Sequence, residues 1–243
     1  MRAPFITVEA CRACGAPLED LHAFGETPLA DRLMRPGSGA PDYLAPLTLA
    51  HCPSCALCQI RETVEPRVLF GADYPYYSSV SPALIRHFRA SAEGLIERLG
   101  LGPGSFVVEP ASNDGAFLAA FAEAGIDVLG VDPADGPAAA ANARGVPTRA
   151  AFFTRALAEQ VAAEGRRADL IAAHNVLAHV ADTHDFAGGI AALLAEDGAV
   201  VIEAPYLLDL LDHREFDTIY HQHLLYLTLT SVSSAAMPPA KSW

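Results

Sequence analysis

Short apolar runs alternate with amphipathic segments through the second half of the chain. Apolar runs of this length predict strands, and apolar residues that recur every three or four positions predict helices. The predicted strands are 105–109, 127–131, 146–149, 169–173 and 199–203, and the predicted helices are 85–99, 115–124, 136–144, 154–164 and 184–195. Near-continuous apolar strands that alternate with helices are typical of a parallel sheet covered on both faces. The pattern therefore predicts a doubly wound α/β fold.

The first predicted strand ends in a turn rich in small polar residues. The apolar part of this strand begins at Phe106, and the strand ends at Glu109. The turn that follows contains Ser112-Asn-Asp-Gly115. Gly115 lets the backbone approach a ligand closely, and Asp114 is expected to cap the next helix. A strand, a glycine turn and a helix N-terminus predict a nucleotide-type site at the carboxyl end of the sheet.

Acidic residues narrow the choice of ligand for this turn. Glu109 and Asp114 accompany a single glycine, and they would repel a pyrophosphate but accept a cationic cofactor with an adenosine end. Asp132 ends the second predicted strand, where a carboxylate either accepts hydrogen bonds from ribose hydroxyls or caps a turn. The turn therefore favours S-adenosylmethionine over NAD.

Two Cys-x-x-Cys pairs stand near the N-terminus, Cys11 with Cys14 and Cys52 with Cys55. Four thiolates from two such turns form the tetrahedral set that a structural zinc ion requires. The segment between the pairs is rich in proline and glycine, from Pro28 to Pro46, and predicts an inserted loop. A fifth thiol is left over and is expected to be a spare.

Aromatic and hydroxyl groups concentrate in two other places. The segment 70–81 contains three tyrosines and three serines, which predict either a packed loop with hydroxyls facing water or a wall over a polar ligand such as a sugar. His174 to His179 follows a predicted strand and fits a site or a capped, buried histidine equally well. The segment 215–226 contains His221 and His223 with two tyrosines, which indicates either a proton-transfer site or a helix start with solvated histidines.

Composition excludes several classes of protein. The chain has 243 residues with 51% hydrophobic and 19% charged residues, so one large globular domain or two small ones are expected. The net charge of −13 argues against nucleic-acid binding. We find neither a signal-peptide pattern nor an apolar run of the roughly 20 residues that a membrane helix needs. A cytoplasmic, membrane-free protein is expected, and in that compartment paired cysteines indicate metal rather than disulfides.

Together these motifs resemble the zinc-containing, S-adenosylmethionine-dependent C-methyltransferases of deoxysugar and antibiotic biosynthesis. That family methylates a nucleotide-linked 4-keto-6-deoxysugar at C3. The resemblance covers about residues 8 to 231 and includes, besides the cysteine pairs and the 109–115 turn, the motifs Tyr74-Pro-Tyr-Tyr-Ser-Ser79, Asn175-Val-Leu-Ala-His179, Glu203-Ala-Pro-Tyr206 and Glu215-Phe-Asp-Thr-Ile-Tyr-His-Gln-His223. It implies a Rossmann-like methyltransferase domain behind a small zinc-binding domain.

The resemblance also implies roles for individual residues. The zinc ligands would be Cys11, Cys14, Cys52 and Cys55. The cofactor would be bound by Glu109, Ser112, Asn113, Asp114, Gly115, Asp132, Asn175 and Val176. The sugar would contact Tyr76, Tyr77, Ser79, His179 and Tyr206. His223 would be the base that forms an enolate beside the ketone, with Tyr220, His221 and Gln222 completing the catalytic group.

Two features depart from the family. The family has His-Glu-His where this chain has His221-Gln222-His223, which predicts lowered activity. The stretch 231–243 lacks a core-facing pattern and is expected to be a truncated or frameshifted end. The predicted organisation is a zinc-binding and lid domain at 1–84, a methyltransferase domain at 85–230 and the atypical tail, in a monomer. The alternatives are an inactive cofactor- and zinc-binding remnant and a methyltransferase for another small keto substrate.

Overall fold

The computed structural model describes residues 1–33, 36–37, 42–71 and 74–234. Contacts divide the chain into two compact units. We call the first the cysteine unit (Met1–Leu69, Asn175–His184 and Ala204–Trp243) and the second the parallel-sheet unit (Phe70–His174 and Asp185–Glu203). The domain limits drawn from the sequence, 1–84, 85–230 and 231–243, stay predictions, and residues 235–243 of the tail lie outside the described residues.

The described residues form strands, α-helices and three short 3-10 turns. The strands are β1 (Phe5–Thr7), β2 (Glu19–Pro28), β3 (Leu44–His51), β4 (Cys58–Ile60), β5 (Glu62–Val64), β6 (Phe106–Pro110), β7 (Asp127–Asp132), β8 (Thr148–Ala150), β9 (Ala168–His174), β10 (Leu194–Glu203) and β11 (Leu225–Tyr226). The helices are α1 (Pro66–Leu69), α2 (Pro82–Leu99), α3 (Leu118–Glu123), α4 (Asp135–Ala143), α5 (Arg155–Ala163), α6 (Thr183–Leu193), α7 (Leu207–His213) and α8 (Leu229–Ser234). The 3-10 turns are Ser78–Val80, Leu177–His179 and Phe216–Thr218.

The parallel-sheet unit is built on a five-stranded sheet in the order β10-β9-β6-β7-β8. Every pairing in it is parallel. The chain runs outward from β6 through β7 to β8 and then returns to β9 on the other side, so the strand order reverses between β6 and β9. Open α/β sheets bind ligands at such a reversal, at the carboxyl ends of the strands. The predicted Rossmann-like fold is confirmed.

Burial explains the apolar strands of this sheet. Every residue of β6 is buried, and Val107 and Leu170 have no exposed surface. One side of the core consists of α2 and α3 residues, with Phe88, Phe117 and Phe121 packed against the strands. A parallel sheet with such strands has no solvent face, which is why its strands lack alternating polar positions.

Two helix starts differ from the sequence prediction by three residues, and the other three by one. Helix α2 begins at Pro82, three residues earlier than predicted, because the Ser81 side chain accepts a hydrogen bond from the Leu84 amide and caps the helix. Helix α3 begins at Leu118 and has no side-chain cap. The prediction that Asp114 caps this helix is wrong, because its carboxylate binds Arg144 instead, at 3.0 Å.

The cysteine unit contains a four-stranded sheet in the order β11-β4-β3-β2 and a two-stranded sheet of β1 and β5. All of these pairings are antiparallel. The predicted inserted loop is shorter than expected, because β2 extends to Pro28 and β3 already includes Pro46. Its residues 34–35 and 38–41 lie outside the described part of the chain.

No helix within the described ranges combines the length and apolar character that a membrane crossing requires.

Candidate functional site

Four cysteine sulfur atoms converge in the cysteine unit. Those of Cys11, Cys14, Cys52 and Cys55 all lie within 4.8 Å of one another. The Cys11 and Cys55 sulfurs are 3.6 Å apart, and those of Cys14 and Cys52 are 3.5 Å apart. An all-thiolate tetrahedral set at this spacing fits a structural zinc ion with no open coordination position.

Each cysteine pair is shaped by a tight turn with a left-handed residue behind it. The Gly15 amide donates to the Cys11 carbonyl at 2.9 Å, and the Ala56 amide donates to the Cys52 carbonyl at 2.9 Å. The φ angles are +73° at Gly15 and +60° at Ala56. These turns point both thiols of each pair the same way, as a metal knuckle requires.

The electrostatics of the cluster favour a bound cation. Burial raises the pKa of Cys11 and of Cys55. Burial acts in the same direction on Cys52, but hydrogen bonds from the Cys55 amide and the Cys14 thiol outweigh it and lower the pKa of Cys52 to about 7. Thiolates in such a place need a metal to stay ionised. Cys58 is not part of the cluster, and burial raises its thiol pKa.

In the parallel-sheet unit, the turn after β6 uses an unusual series of backbone conformations. Ala111, Asn113 and Gly115 all have left-handed φ angles, of 55°, 50° and 76°. The Asn113 amide donates to Asp132 at 2.8 Å, and the Ala134 amide donates to the other oxygen of the same carboxylate at 2.8 Å. Asp132 therefore takes the turn-aspartate role, and it holds the turn after β6 against the turn after β7.

Gly115 and Ser112 are packed tightly within this turn. A Cβ atom on Gly115 would lie 2.9 Å from a Val146 methyl carbon. A Cβ atom on Gly130 in β7 would lie 2.3 Å from the Ser112 hydroxyl oxygen. Close packing of backbone and small side chains holds the turn in place at the strand ends.

Glu109 forms a buried pair with His174, the histidine that the sequence offered either as part of a site or as a capped, buried residue. The carboxylate oxygen Oε1 lies 2.9 Å from the imidazole Nδ1, and both side chains are 4% exposed. The imidazole ring also contacts the rings of Phe88 and Phe117. Only its place at the end of β9 could have indicated this partner.

Acceptor atoms without partners make this region a candidate ligand site. Among the described residues, the second oxygen of Glu109 and one oxygen of Asp114 are buried and make no hydrogen bond. Burial raises the pKa of Glu109 to about 7, His174 opposes that shift, and the charges of Asp132 and Asp114 add to it. A buried carboxylate whose pKa is raised by burial and by neighbouring acids is stabilised by a ligand with positive charge and hydrogen-bond donors. A sulfonium cofactor with an amino group fits this requirement.

The tyrosine segment is attached to this turn through Asn113. Its side-chain oxygen accepts from the Ser78 amide at 2.8 Å, and its side-chain nitrogen donates to the Tyr76 carbonyl at 3.1 Å. Arg144 adds a second link, because it donates both to Asp114 and, at 2.9 Å, to the Ser79 hydroxyl. Arg144 had no signal in the sequence, since it lies behind α4 and outside every motif.

Tyr77 lies over the first turn of α4. A Cβ atom on Gly136 would be 2.6 Å from the Tyr77 hydroxyl, so that glycine makes room for the phenol. Tyr76, by contrast, is 46% exposed. Three of the five residues predicted to contact the sugar, Tyr76, Tyr77 and Ser79, belong to the same unit as the turn after β6.

The hydrogen bonds of His223 define its tautomer in the cysteine unit. Its Nδ1 lies 2.9 Å from the Thr218 carbonyl, which can only accept, so Nδ1 carries the proton. Its Nε2 lies 3.0 Å from the Tyr220 hydroxyl and accepts from it. Burial lowers the pKa of His223, and burial raises the pKa of Tyr220 to about 12. At neutral pH this is a neutral imidazole whose Nε2 lone pair accepts a hydrogen bond from the Tyr220 phenol.

His179 and His221 hold the same segment in different ways. His179 donates from Nδ1 to the Gln222 carbonyl at 2.7 Å, and its ring centre lies 5.1 Å from that of His223. Burial, followed by the charge of His223, lowers the pKa of His179 to about 4. His221 is fully buried and donates to the Pro46 carbonyl at 3.0 Å. The alternative of a helix start with solvated histidines is therefore wrong.

The remaining predicted residues also lie in the cysteine unit. Asn175 is exposed with a left-handed φ of 51°, and Val176 is half-buried. Tyr206 is half-buried and forms an isolated bridge with Leu227. Gln222 is 3% exposed, and its amide nitrogen has no partner among the described residues. Their predicted roles stay predictions.

Comparisons with known proteins agree with both parts of this arrangement. A family model described as a zinc binding domain matches residues 11–70, and one described as a methyltransferase domain matches residues 84–236. The C-methyltransferase NovU of Streptomyces niveus is 41% identical over 227 residues, which are 93% of this chain and 54% of NovU. The chain thus spans about half the length of that curated relative.

A solved structure supports the fold alone. The plantazolicin methyltransferase BpumL in complex with SAH superposes with a TM-score of 0.50 and 13% identity. The match covers 63% of this chain and 62% of BpumL. At this identity the comparison shows a shared fold around the parallel sheet.

Proposed function

Because the chain belongs to the methyltransferase domain family, we propose that it is an S-adenosylmethionine-dependent C-methyltransferase of a nucleotide-linked 4-keto-6-deoxysugar. The relative that is 41% identical is named a C-methyltransferase, which supports carbon as the methyl acceptor. The sugar class rests on the motifs that resemble the deoxysugar family, above all Tyr74 to Ser79 and Glu215 to His223.

The observation that carries the proposal is the tautomer of His223. A carbon acceptor beside a ketone must first lose a proton, and that requires a neutral base with a free lone pair. His223 has its proton fixed on Nδ1 by Thr218 and its lone pair on Nε2 beside Tyr220. In the proposed reaction the Tyr220 hydroxyl turns from Nε2 to the ketone oxygen, Nε2 takes the C3 proton, and the electron pair of the broken C–H bond moves onto the ketone oxygen as an enolate.

Tyr220, Gln222 and His221 are proposed to complete the catalytic group, and His179 is proposed to face the sugar. The raised pKa of Tyr220 keeps its phenol protonated, so it remains a donor that orients Nε2 or stabilises the enolate oxygen. His179 stays neutral at physiological pH and fixes the Gln222 backbone beside the base. His221 supports the segment from within the core through Pro46 rather than through the substrate.

The turn after β6 is proposed to hold the cofactor. Glu109, Asp114 and Asp132 offer the acidic surroundings, and Ser112, Asn113 and Gly115 shape the backbone there. Asn175 and Val176 are proposed to join them. S-adenosylmethionine, when bound, supplies an electrophilic methyl group on a sulfonium. Tyr76, Tyr77, Ser79 and Tyr206 are proposed to contact the sugar nucleotide.

The four-cysteine cluster is proposed to hold a structural zinc ion. With four thiolates the coordination shell is closed, so the zinc offers no place for substrate. Deprotonation and methyl transfer therefore depend on the side chains named above.

A second candidate function is favoured by one residue. Gln222 replaces a glutamate of the deoxysugar family, and a protein that binds zinc and cofactor without catalysis would tolerate that change. Incubation with S-adenosylmethionine and candidate nucleotide-linked keto-deoxysugars, followed by mass spectrometry, separates the candidates. One added methyl on a sugar carbon supports the proposal. Cofactor binding without any methylated sugar supports the non-catalytic alternative.

A further inference from the structure

The knuckle formed by Cys11 to Cys14 is hydrogen-bonded to Gln59 of β4, which pairs with the strand after His223, and to Thr183, which follows His179 in the chain. We propose that Gln59, Arg12 and Thr183 are positioning residues, which transmit the order of the zinc knuckle to His223 and His179. The base role of His223 rests on the proposed function, but the hydrogen-bonded link from the knuckle does not. All of these residues lie in the cysteine unit.

Gln59 connects the knuckle to the segment after His223. Its side-chain oxygen accepts from the Arg12 amide at 3.0 Å, and its side chain is fully buried. Gln59 lies in β4 and is paired with Leu225 of β11. The neighbouring Ile60 amide donates to the Leu224 carbonyl at 3.0 Å. Leu224 and Leu225, the two residues after His223, are therefore both hydrogen-bonded or paired with β4.

Thr183 connects the same knuckle residue to the segment of His179. Its hydroxyl donates to the Arg12 carbonyl at 2.7 Å. The segment before it is bonded to the His223 region, because the Leu224 amide donates to the Ala178 carbonyl at 2.7 Å. The Arg12 amide is thus hydrogen-bonded to Gln59, which leads to the segment of His223. The Arg12 carbonyl is hydrogen-bonded to Thr183, which leads to the segment of His179.

The Arg12 side chain strengthens this arrangement. Its guanidinium donates to the carbonyls of Ile60 and Arg61, at 3.2 and 3.4 Å. Since Arg12 lies between two predicted zinc ligands, its backbone has a fixed place only while the knuckle is closed. Buried hydrogen bonds in a low-dielectric interior are strong and directional, so loss of one displaces its partner.

Small displacements matter for a general base. Proton transfer requires donor and acceptor atoms within hydrogen-bond reach, and a misplacement of about 1 Å costs roughly a hundredfold in rate. The His223 Nδ1–H group donates to the Thr218 carbonyl only while the backbone from Thr218 to Leu224 keeps its position. The zinc site therefore acts on the reaction through position and not through direct chemistry.

The test uses nitrogen NMR of histidine-labelled protein, with the His223 signals identified from a His223→Asn spectrum. Gln59→Met keeps the size of the side chain but removes the acceptor for the Arg12 amide. Its lost amide nitrogen costs little, because that atom has no partner among the described residues. Cys58→Ala is the matched control in the same strand, since its thiol lies outside the cluster.

In the parent protein a fixed tautomer should give two distinct ring-nitrogen signals for His223. In Gln59→Met we expect these two signals to move toward a common average, because the ring exchanges between tautomers. Zinc content and the Kd for S-adenosylhomocysteine are expected to stay within about twofold of the parent, a change below 0.5 kcal/mol. Cys58→Ala is expected to leave the His223 signals unchanged. Unchanged His223 signals in Gln59→Met would overturn the Gln59 part of the proposal.

Thr183→Val provides an independent arm if Gln59→Met does not fold. It removes one hydroxyl at the start of α6, and we expect the His179 ring signals to shift while zinc content is retained. Unchanged His179 signals would overturn the Thr183 part. Because no substrate is used, these results are separate from the proposed function, which fails only if no sugar is methylated.

Discussion

Asn113 links the turn after β6 to the tyrosine segment, and its replacement separates two contributions. The side chain bonds to the Ser78 amide and the Tyr76 carbonyl, at 2.8 and 3.1 Å, while its backbone has a φ of +50°. Asn113→Gly removes both hydrogen bonds but tolerates the left-handed backbone. Asn113→Ala removes the same bonds and adds backbone strain.

The magnitude follows from these contacts. Each neutral hydrogen bond contributes about 1 kcal/mol net, and leaving the buried Ser78 amide unpaired adds about 1 kcal/mol more. Asn113→Gly should therefore lower the free energy of opening of residues 76–79 by about 2 to 3 kcal/mol. Asn113→Ala should cost roughly 1 kcal/mol beyond that, since a left-handed non-glycine residue is strained.

Hydrogen exchange measured on the peptide that contains residues 76–79 is the direct assay. Since 1.4 kcal/mol corresponds to a factor of ten, we expect roughly 30- to 140-fold faster exchange in Asn113→Gly. Asn113→Asp is the matched control, because it keeps the acceptor for the Ser78 amide and should give an intermediate value. Exchange in Asn113→Gly equal to that of the parent would refute the reasoning.

Three further predictions concern the metal, the buried acid and the segment of the base. Zinc chelation or Cys52→Ser should lower the melting temperature and zinc content together, whereas Cys58→Ser should change neither; equal effects would remove the zinc assignment. Burial raises the pKa of Glu109 from 4.5 to about 7, so its stabilisation is complete below about pH 4.5 and is lost as the pH rises through about 7. Glu109→Gln should reduce that slope in melts across this range, while Asp132, whose pKa burial also raises, keeps part of it; an undiminished slope would argue against Glu109 as a source. Gln222→Glu should raise turnover with cofactor and keto-sugar, and an unchanged rate would show that the missing carboxylate does not matter.

The parallel sheet was predictable because its signal is local. Each strand is an apolar run between helices, and the observed strands β6 to β9 match the predictions within two residues at each end. Strand β10 starts five residues earlier than predicted, at Leu194, with an irregular register before Ala199. The residues between, which include acidic ones, gave no strand pattern.

The cysteine unit was less predictable because its sheet depends on distant partners. Strand β2 is mostly exposed, so it lacks the alternating burial that identifies a strand. The two-residue β11 exists only because it pairs with β4, more than 160 positions away in the sequence. The cysteines predicted the cluster but could not predict which strands surround it.

In the candidate site, too, residues with a local sequence signal were predictable, and contacts between distant residues were not. Glu109, Asp132 and the 112–115 turn were found from their place at strand ends. Their partners were not, because His174 and Arg144 act through contacts that only the fold creates. Asp114 does not cap the helix for the same reason, because its carboxylate binds the guanidinium of Arg144, a contact that only the fold creates.

The central claim is that His223 removes a proton from the carbon beside the ketone. The most direct measurement follows deuterium from solvent into C3 of a nucleotide-linked 4-keto-6-deoxysugar, with S-adenosylhomocysteine bound in place of the methyl donor. We predict exchange at C3 with the parent protein, and at least a hundredfold slower exchange with His223→Asn at unchanged affinity for S-adenosylhomocysteine. Equal exchange rates in the two proteins would contradict the account.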